Sequence, residues 1–299
     1  MPLIRYLGAA WAAVHGPSDP RRLCIFALEQ GFRGVLPAPT ARPIDWVQVR
    51  EAAEDLPFDL GGAMRLCALS ATDDRCDRGL GSKNSGDRGA ALAQVRRGVG
   101  DASRIGASTL ILEPGAVPMI GETGPLDLGD PGIPWTADLA RSQAARRRAG
   151  ENRALDLVCR ALFELARHHP EQRLALTASR MVDGLGTPAA LGHIFEDLPR
   201  LRLSYWHEAA VCALRQSRLG EPQGEWLERF GSRLAGVSLG DWSEERLHAA
   251  PGSGLVDYPL LASYLDRVGA RLPAVVELEP AVPPAELPSV RAFLEKFGL

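Results

Sequence analysis

Residues 187–205 read TPAALGHIFEDLPRLRLSY. Thr187 before Pro188 marks a helix start, because a hydroxyl can cap first-turn N–H groups and proline's fixed φ suits the first helical position. Leu191, Ile194 and Leu198 then recur at helical spacing on one face, and Leu201–Tyr205 follows as a short apolar run. Helix followed by buried strand is a unit that repeats outward in both directions. Upstream, Ser18 or Asp19 can cap a helix with Pro20 in its first turn, which carries Leu23, Ala27 and Leu28 and which Gly31 stops ahead of a Gly34–Pro37 strand. Helices lined by Trp46, Val49 and Ala53, by Leu92, Val95, Val99 and Ala102, and by Leu155, Val158, Cys159, Leu162 and Leu165 precede strands at 63–69, 108–112 and 174–178. Downstream, Trp226, Leu227 and Phe230 lead into a 234–239 strand. Leu260, Leu261, Tyr264, Leu265 and Val268 lead into a 274–278 strand, and Val290, Phe293, Leu294 and Phe297 form a last helix.

With Ile4–Trp11 as the first, eight strands alternate with eight helices. Alternation demands parallel strands with right-handed crossovers, and strands covered by helices are apolar on both faces, as these are. Eight units in 299 residues predict an α/β fold, a closed (β/α)8 barrel forming one domain over residues 1–299. Two connections are too long to be turns: Ser70–Gly89 after the third strand and Pro114–Gly150 after the fourth. Both follow strands, so both lie on the face where such barrels carry their chemistry.

Apolar side chains make up 45% of the chain and charged ones 24%, the balance of a globular protein with a full core. Thirty-four basic against 37 acidic residues leave a net charge of −3, which argues against a nucleic-acid scaffold. No apolar run reaches the roughly 18 residues that a membrane-spanning helix needs. The stretch Tyr6–Val14 loosely imitates a signal peptide but has a single preceding arginine, Arg5, and no cleavage signal, so it reads as a first buried strand. Cys24, Cys67, Cys76, Cys159 and Cys212 are scattered, without a CxxC pair, so neither a disulfide framework nor a thiolate zinc site is expected and a reducing cytoplasm fits.

The strand ends resemble a known family. Leu203-Ser204-Tyr205-Trp206-His207 stands where the xylose-isomerase-like barrels, which include sugar-phosphate isomerases and epimerases and endonuclease IV, have L-D-x-G-H. Ser238-Leu239-Gly240-Asp241 stands for their H-L-x-D. His248 with Pro251-Gly252-Ser253-Gly254 and Asp257-Tyr258 looks like their post-strand-seven segment, and Val276-Glu277-Leu278 like their last strand. The resemblance implies a divalent metal held by Glu, Asp, His and Glu at the ends of strands five to eight, where it stabilises an enediolate. Residue by residue only Glu277 survives; Thr177, Ser204 and Ser238 replace the other three. Neutral hydroxyls are weak ligands, so no divalent metal cofactor is expected, and an endonuclease IV role falls with it.

The remaining polar strand-end residues form the candidate site. His207 and Glu277 are the expected proton-moving groups, since an imidazole titrates near neutrality and a buried strand carboxylate needs a purpose. Glu113, Asp241, Arg180 and His248 are expected to orient them or hold substrate, and Trp11 and Trp206 to stack against it. Glu279 shares a side of its strand with Glu277. The expected function is a metal-independent isomerase or epimerase acting on a small polyhydroxy or carbonyl compound. Two alternatives stand beside it: an inactive barrel serving as a binding module or partner subunit, and a metal-dependent isomerase with ligands relocated to Glu113, His207, Asp241 and Glu277. The partners expected are a small-molecule substrate and, by analogy with such barrels, a second copy of the chain; no nucleic acid or membrane is expected.

Overall fold

The structure, a computed structural model, describes residues 4–67, 78–119, 126–243, 246–268 and 272–299. Eight parallel strands make the barrel: β1 (Ile4–Gly8), β2 (Gly34–Leu36), β3 (Ala63–Arg65), β4 (Thr109–Leu112), β5 (Arg173–Thr177), β6 (Leu203–Glu208), β7 (Leu234–Leu239) and β8 (Pro273–Val276). They run in the order β2-β1-β8-β7-β6-β5-β4-β3. The seam between β2 and β3 is drawn together by the Arg65 N–H donating to the Pro37 carbonyl at 2.9 Å. The barrel is therefore nearly closed, as the alternating pattern predicts.

Strand periodicity sorts the side chains into two cores. Each strand sends one residue into a central cluster: Tyr6, Leu36, Ala63, Ile111, Ala175, Trp206, Ala235 and Val275. Their sequence neighbours, among them Leu7, Val35, Leu110, Leu176, Tyr205, Leu234 and Val276, pack outward against the helices. Trp206 fills the barrel centre, and this requires Gly236 opposite: a Cβ there would lie 2.2 Å from the indole.

Ten helices surround the sheet among the described residues: α1 (Ala9–His15), α2 (Pro20–Glu29), α3 (Trp46–Ala52), α4 (Ser85–Arg104), α5 (Ala137–His168), α6 (Pro188–Asp197), α7 (Ala209–Leu219), α8 (Gln223–Phe230), α9 (Tyr258–Val268) and α10 (Leu287–Glu295). The caps read from the sequence form. Asp19 accepts from the Arg22 N–H at 2.8 Å, and Thr187 accepts from the Ala190 N–H at 3.2 Å. Gly31 takes φ +82°, which a side chain resists.

Four sequence expectations need correction. β1 stops at Gly8, and Trp11 lies on α1 rather than at a strand end. β6 runs three residues past Tyr205 and feeds α7 directly, because Trp206, His207 and Glu208 continue the ladder with β7. α5 begins at Ala137, capped by Thr136, so much of the long fourth connection is helix. Cys67 is disulfide-bonded, against the expectation of no disulfide, while Cys24, Cys159 and Cys212 are free and buried. Part of the third connection, residues 68–77, also lies outside the described residues. No helix among the described residues is long and apolar enough to cross a membrane.

Candidate active site

The layer above Trp206, at the C-terminal mouth of the barrel, follows from the same period of two. Past Ala63 comes Arg65, past Ile111 comes Glu113, past Ala175 comes Thr177, past Trp206 comes Glu208 and past Val275 comes Glu277. Ser238 of β7 pairs in register with Glu208 and with Val275. The result is a charged centre inside a low-dielectric cylinder.

Arg65 is its hub. The guanidinium, 5% exposed, pairs closely with Glu208, reaches Ser238 Oγ at 3.2 Å and lies 3.9 Å from Glu277. Ser238 accepts also from Trp206 Nε1 at 2.9 Å and donates to Glu208 at 3.3 Å, so its hydroxyl is fully used. Burial by itself would lower the Arg65 pKa, but Glu208 and Glu277 outweigh it and hold the group above its ordinary value. Glu277 behaves in the opposite way. Burial, with Glu208 adding repulsion, pushes its carboxyl up to about 7 against the pull of Arg65. Gly8 makes room for it: a Cβ there would fall 2.2 Å from Glu277 Oε2.

His248 closes the layer from the segment after β7, on a small antiparallel hairpin of Asp241–Trp242 with Leu247–Ala249. It is 6% exposed and carries φ 66°, a strained conformation for a histidine. Both ring nitrogens are buried without a hydrogen-bond partner. Burial, then the nearby Arg65 and Arg180, lower its pKa to about 3, so the ring is neutral at working pH. Arg65 Nε, Glu208 Oε2 and Thr177 Oγ1 are likewise buried and unpartnered.

Apart from Glu113, which belongs to the mouth layer, the other expected site residues are placed elsewhere. His207 projects outward, hydrogen-bonded to Tyr205 Oη at 2.9 Å and beside Cys212, and burial lowers its pKa to about 3. Strand alternation is the reason: Glu208, not His207, faces the barrel interior with Trp206. Asp241 is 1% exposed and ties its own loop, accepting from the N–H groups of Trp242, Gly252 and Val256 at 2.9, 2.9 and 3.0 Å. Trp11 is a core residue whose Nε1 donates to the Val282 carbonyl at 2.7 Å. Trp206 lies inside the barrel rather than on an open face. Arg180 pairs with Asp127 at 2.5 Å at the rim, and Glu279 is half-buried beside Arg246 at 3.2 Å. Glu113 contributes to the field on Arg65.

Arg65 and Glu208 are the residues that sequence reading missed. Arg65 sits in the apolar run Ala63-Met64-Arg65-Leu66, where a charge buried on both faces demands a partner. Glu208 follows from counting in twos from Ser204.

A divalent metal does not fit this mouth. Thr177 and Ser238 present neutral hydroxyls, Ser204 lies a layer below Trp206 and donates to the Leu174 carbonyl at 3.5 Å rather than standing at the mouth, and Glu208 and Glu277 face a permanently charged guanidinium. Among the described residues, no group of three or more His, Cys, Asp and Glu is arranged to hold a metal ion. A divalent cation beside Arg65 would meet direct repulsion in a medium that screens it poorly.

The sequence matches no protein-family model and no curated protein. Its fold does match solved structures along nearly the whole chain. An apo 3-keto-D-glucoside 4-epimerase, YcjR, from E. coli superposes with TM-score 0.68 at 16% identity, covering 98% of this chain and 99% of that one. A D-tagatose 3-epimerase-like protein gives 0.67 at 13%, covering 99% and 97%. A putative xylose isomerase from Rhodospirillum rubrum gives 0.70 at 12%, covering 99% and 98%. The chain thus has the fold of the xylose-isomerase-like barrels.

Proposed function

We propose that this protein is a metal-independent isomerase or epimerase that moves a proton on the carbon beside the carbonyl of a small polyhydroxy compound. The observation that carries the reading is the cluster of unpartnered buried polar atoms around Arg65: its own Nε, Glu208 Oε2, Thr177 Oγ1 and both nitrogens of His248. Each such atom costs about 1–3 kcal/mol, and a ligand bearing several hydroxyls and a carbonyl offers matching donors and acceptors. The solved structures of the same fold named as epimerases of D-psicose and L-ribulose give the substrate class its support.

In this reading Glu277, as the carboxylate, takes the proton from carbon. A base with a pKa near the working pH suits that step, and a carboxyl pushed up to about 7 is a stronger base than an ordinary one. Negative charge develops on the carbonyl oxygen as the enediolate forms. Arg65, held in place by Glu208 and Ser238, supplies a fixed positive charge for it without reorganising. Protonated Glu277 then returns the proton to the neighbouring carbon while the hydroxyl proton passes to the former carbonyl oxygen, which completes an isomerisation; epimerisation needs a donor on the opposite face. His248, neutral, offers one donor and one acceptor to hydroxyls.

The test is deuterium exchange. The protein, freed of metals with EDTA, is incubated in D2O with D-fructose, D-tagatose, D-psicose and L-ribulose, and NMR follows the hydrogens beside the carbonyl. Exchange without metal, lost by at least 100-fold in Glu277→Gln, supports the reading. Exchange that appears only on adding manganese overturns metal independence. Ketose binding with no exchange overturns catalysis and leaves the binding-module alternative.

A further inference from the structure

A concave surface lies outside the ring of strands. Between the first turns of α5, the loop after β5 and the end of α7 runs a cleft of about 630 Å3. That volume is within the range of small-molecule sites, roughly 300–1,000 Å3. Five arginines line it: Arg141, Arg147, Arg148, Arg215 and Arg218. Carboxylates reach three of them. Asp138 pairs with Arg141, Glu151 with Arg147 at 3.3 Å, and Glu221 with Arg215 at 2.7 Å. Among the described residues no carboxylate pairs with Arg148 or Arg218, which leaves two positive charges uncompensated.

The lining also contains donors that nothing satisfies. Arg218 stacks over the Trp242 ring at 5.5 Å, with its Nε buried and unpartnered, and Trp135 Nε1 is buried and unpartnered on the same wall. Thr136 and Ala137 bring the positive end of α5 to the cleft. The arginines crowd one another: the Arg147 pKa is lowered first by burial and then by Arg215 and Arg148, against the opposing pull of Glu151 and Glu221. Like charges gathered around a hollow are an arrangement that an anion relieves.

We propose that this cleft is a binding site for the phosphate group of a small phosphorylated molecule, held by Arg148, Arg218 and Trp135 Nε1. A phosphate monoester carries a charge near −2 and three acceptor oxygens, matching two free guanidiniums and an indole N–H better than a carboxylate does. The site also touches the loop that supplies the mouth. Arg215 Nη1 donates to the Ser179 carbonyl at 2.6 Å, on one side of the segment whose Arg180 contributes to the field on His248.

Calorimetric titration of the full chain with inorganic pyrophosphate, at ionic strength held constant with sodium chloride, tests this. Binding is expected in the micromolar to millimolar range, with a rise in melting temperature. The double variant Arg148→Ala/Arg218→Ala should weaken it 10- to 100-fold, whereas Arg104→Ala, an exposed arginine on α4, should leave it unchanged. Among the described residues neither Arg148 nor Arg218 holds an ion pair, so the double variant is expected to fold. Should it not, Trp135→Phe, which keeps the ring and removes one donor, is expected to weaken binding 3- to 10-fold. No heat beyond that of the chloride control, or binding that survives these substitutions, would overturn the proposal. So would binding of a DNA duplex without binding of pyrophosphate.

Discussion

Replacing Glu277 by glutamine probes the charged centre through stability, independently of any substrate. In the folded protein the carboxyl titrates at about 7, against 4.5 for an ordinary glutamate. Between those values the folded state holds a proton that the unfolded state has released, so the group's contribution is fully present below pH 4.5 and is lost as pH rises through 7. Glutamine imitates the protonated acid and has nothing to lose. The displacement corresponds to about 3 kcal/mol, at roughly 1.4 kcal/mol per pH unit. Urea denaturation of both proteins from pH 4.5 to 8 should therefore show Glu277→Gln gaining about 3 kcal/mol on the parent across that range. Near pH 8 this is about 5 °C in melting temperature for a chain of this length. The buried neutral imidazoles of His207 and His248 pull the opposite way, destabilising the fold as pH falls below 6.5, but they are common to both proteins and cancel in the difference. A difference that stays flat from pH 4.5 to 8 would refute the argument that burial outweighs Arg65 at this carboxyl.

Arg65→Ala should cost about 3–5 kcal/mol at pH 8, because it strands two buried carboxylates, and less at pH 5, where Glu277 is protonated; urea midpoints at the two pH values check this. Gly236→Ala places a Cβ against the immobile Trp206 indole and should cost about 1–3 kcal/mol, with a shift in tryptophan emission as the ring is displaced. Asp241→Ala removes the acceptor of three backbone N–H groups and should cost about 3 kcal/mol, with faster amide exchange at Trp242, Gly252 and Val256 as its signature.

The architecture was legible in the chain itself. Caps such as Asp19-Pro20 and Thr187-Pro188 and apolar spacing that switches between helical and strand periods are local properties, and their alternation admits few topologies. The buried placement of Glu277 was equally legible, because a carboxylate at the end of the last apolar strand continues the strand's inward face. What the sequence could not settle was phase. Side chains alternate every residue along a strand, so ending β6 at Tyr205 rather than Glu208 exchanged an outward histidine for the glutamate that faces inward. Asp241 shows the same limit in a loop: its partners lie as far as 15 residues away, and only closure of the hairpin reveals that backbone N–H groups already occupy its oxygens. Arg65 and Glu208 are 143 residues apart. Their pairing exists because barrel closure brings β3 and β6 to face each other across one dry interior, where a guanidinium must find a carboxylate, and no stretch of chain read alone contains that encounter.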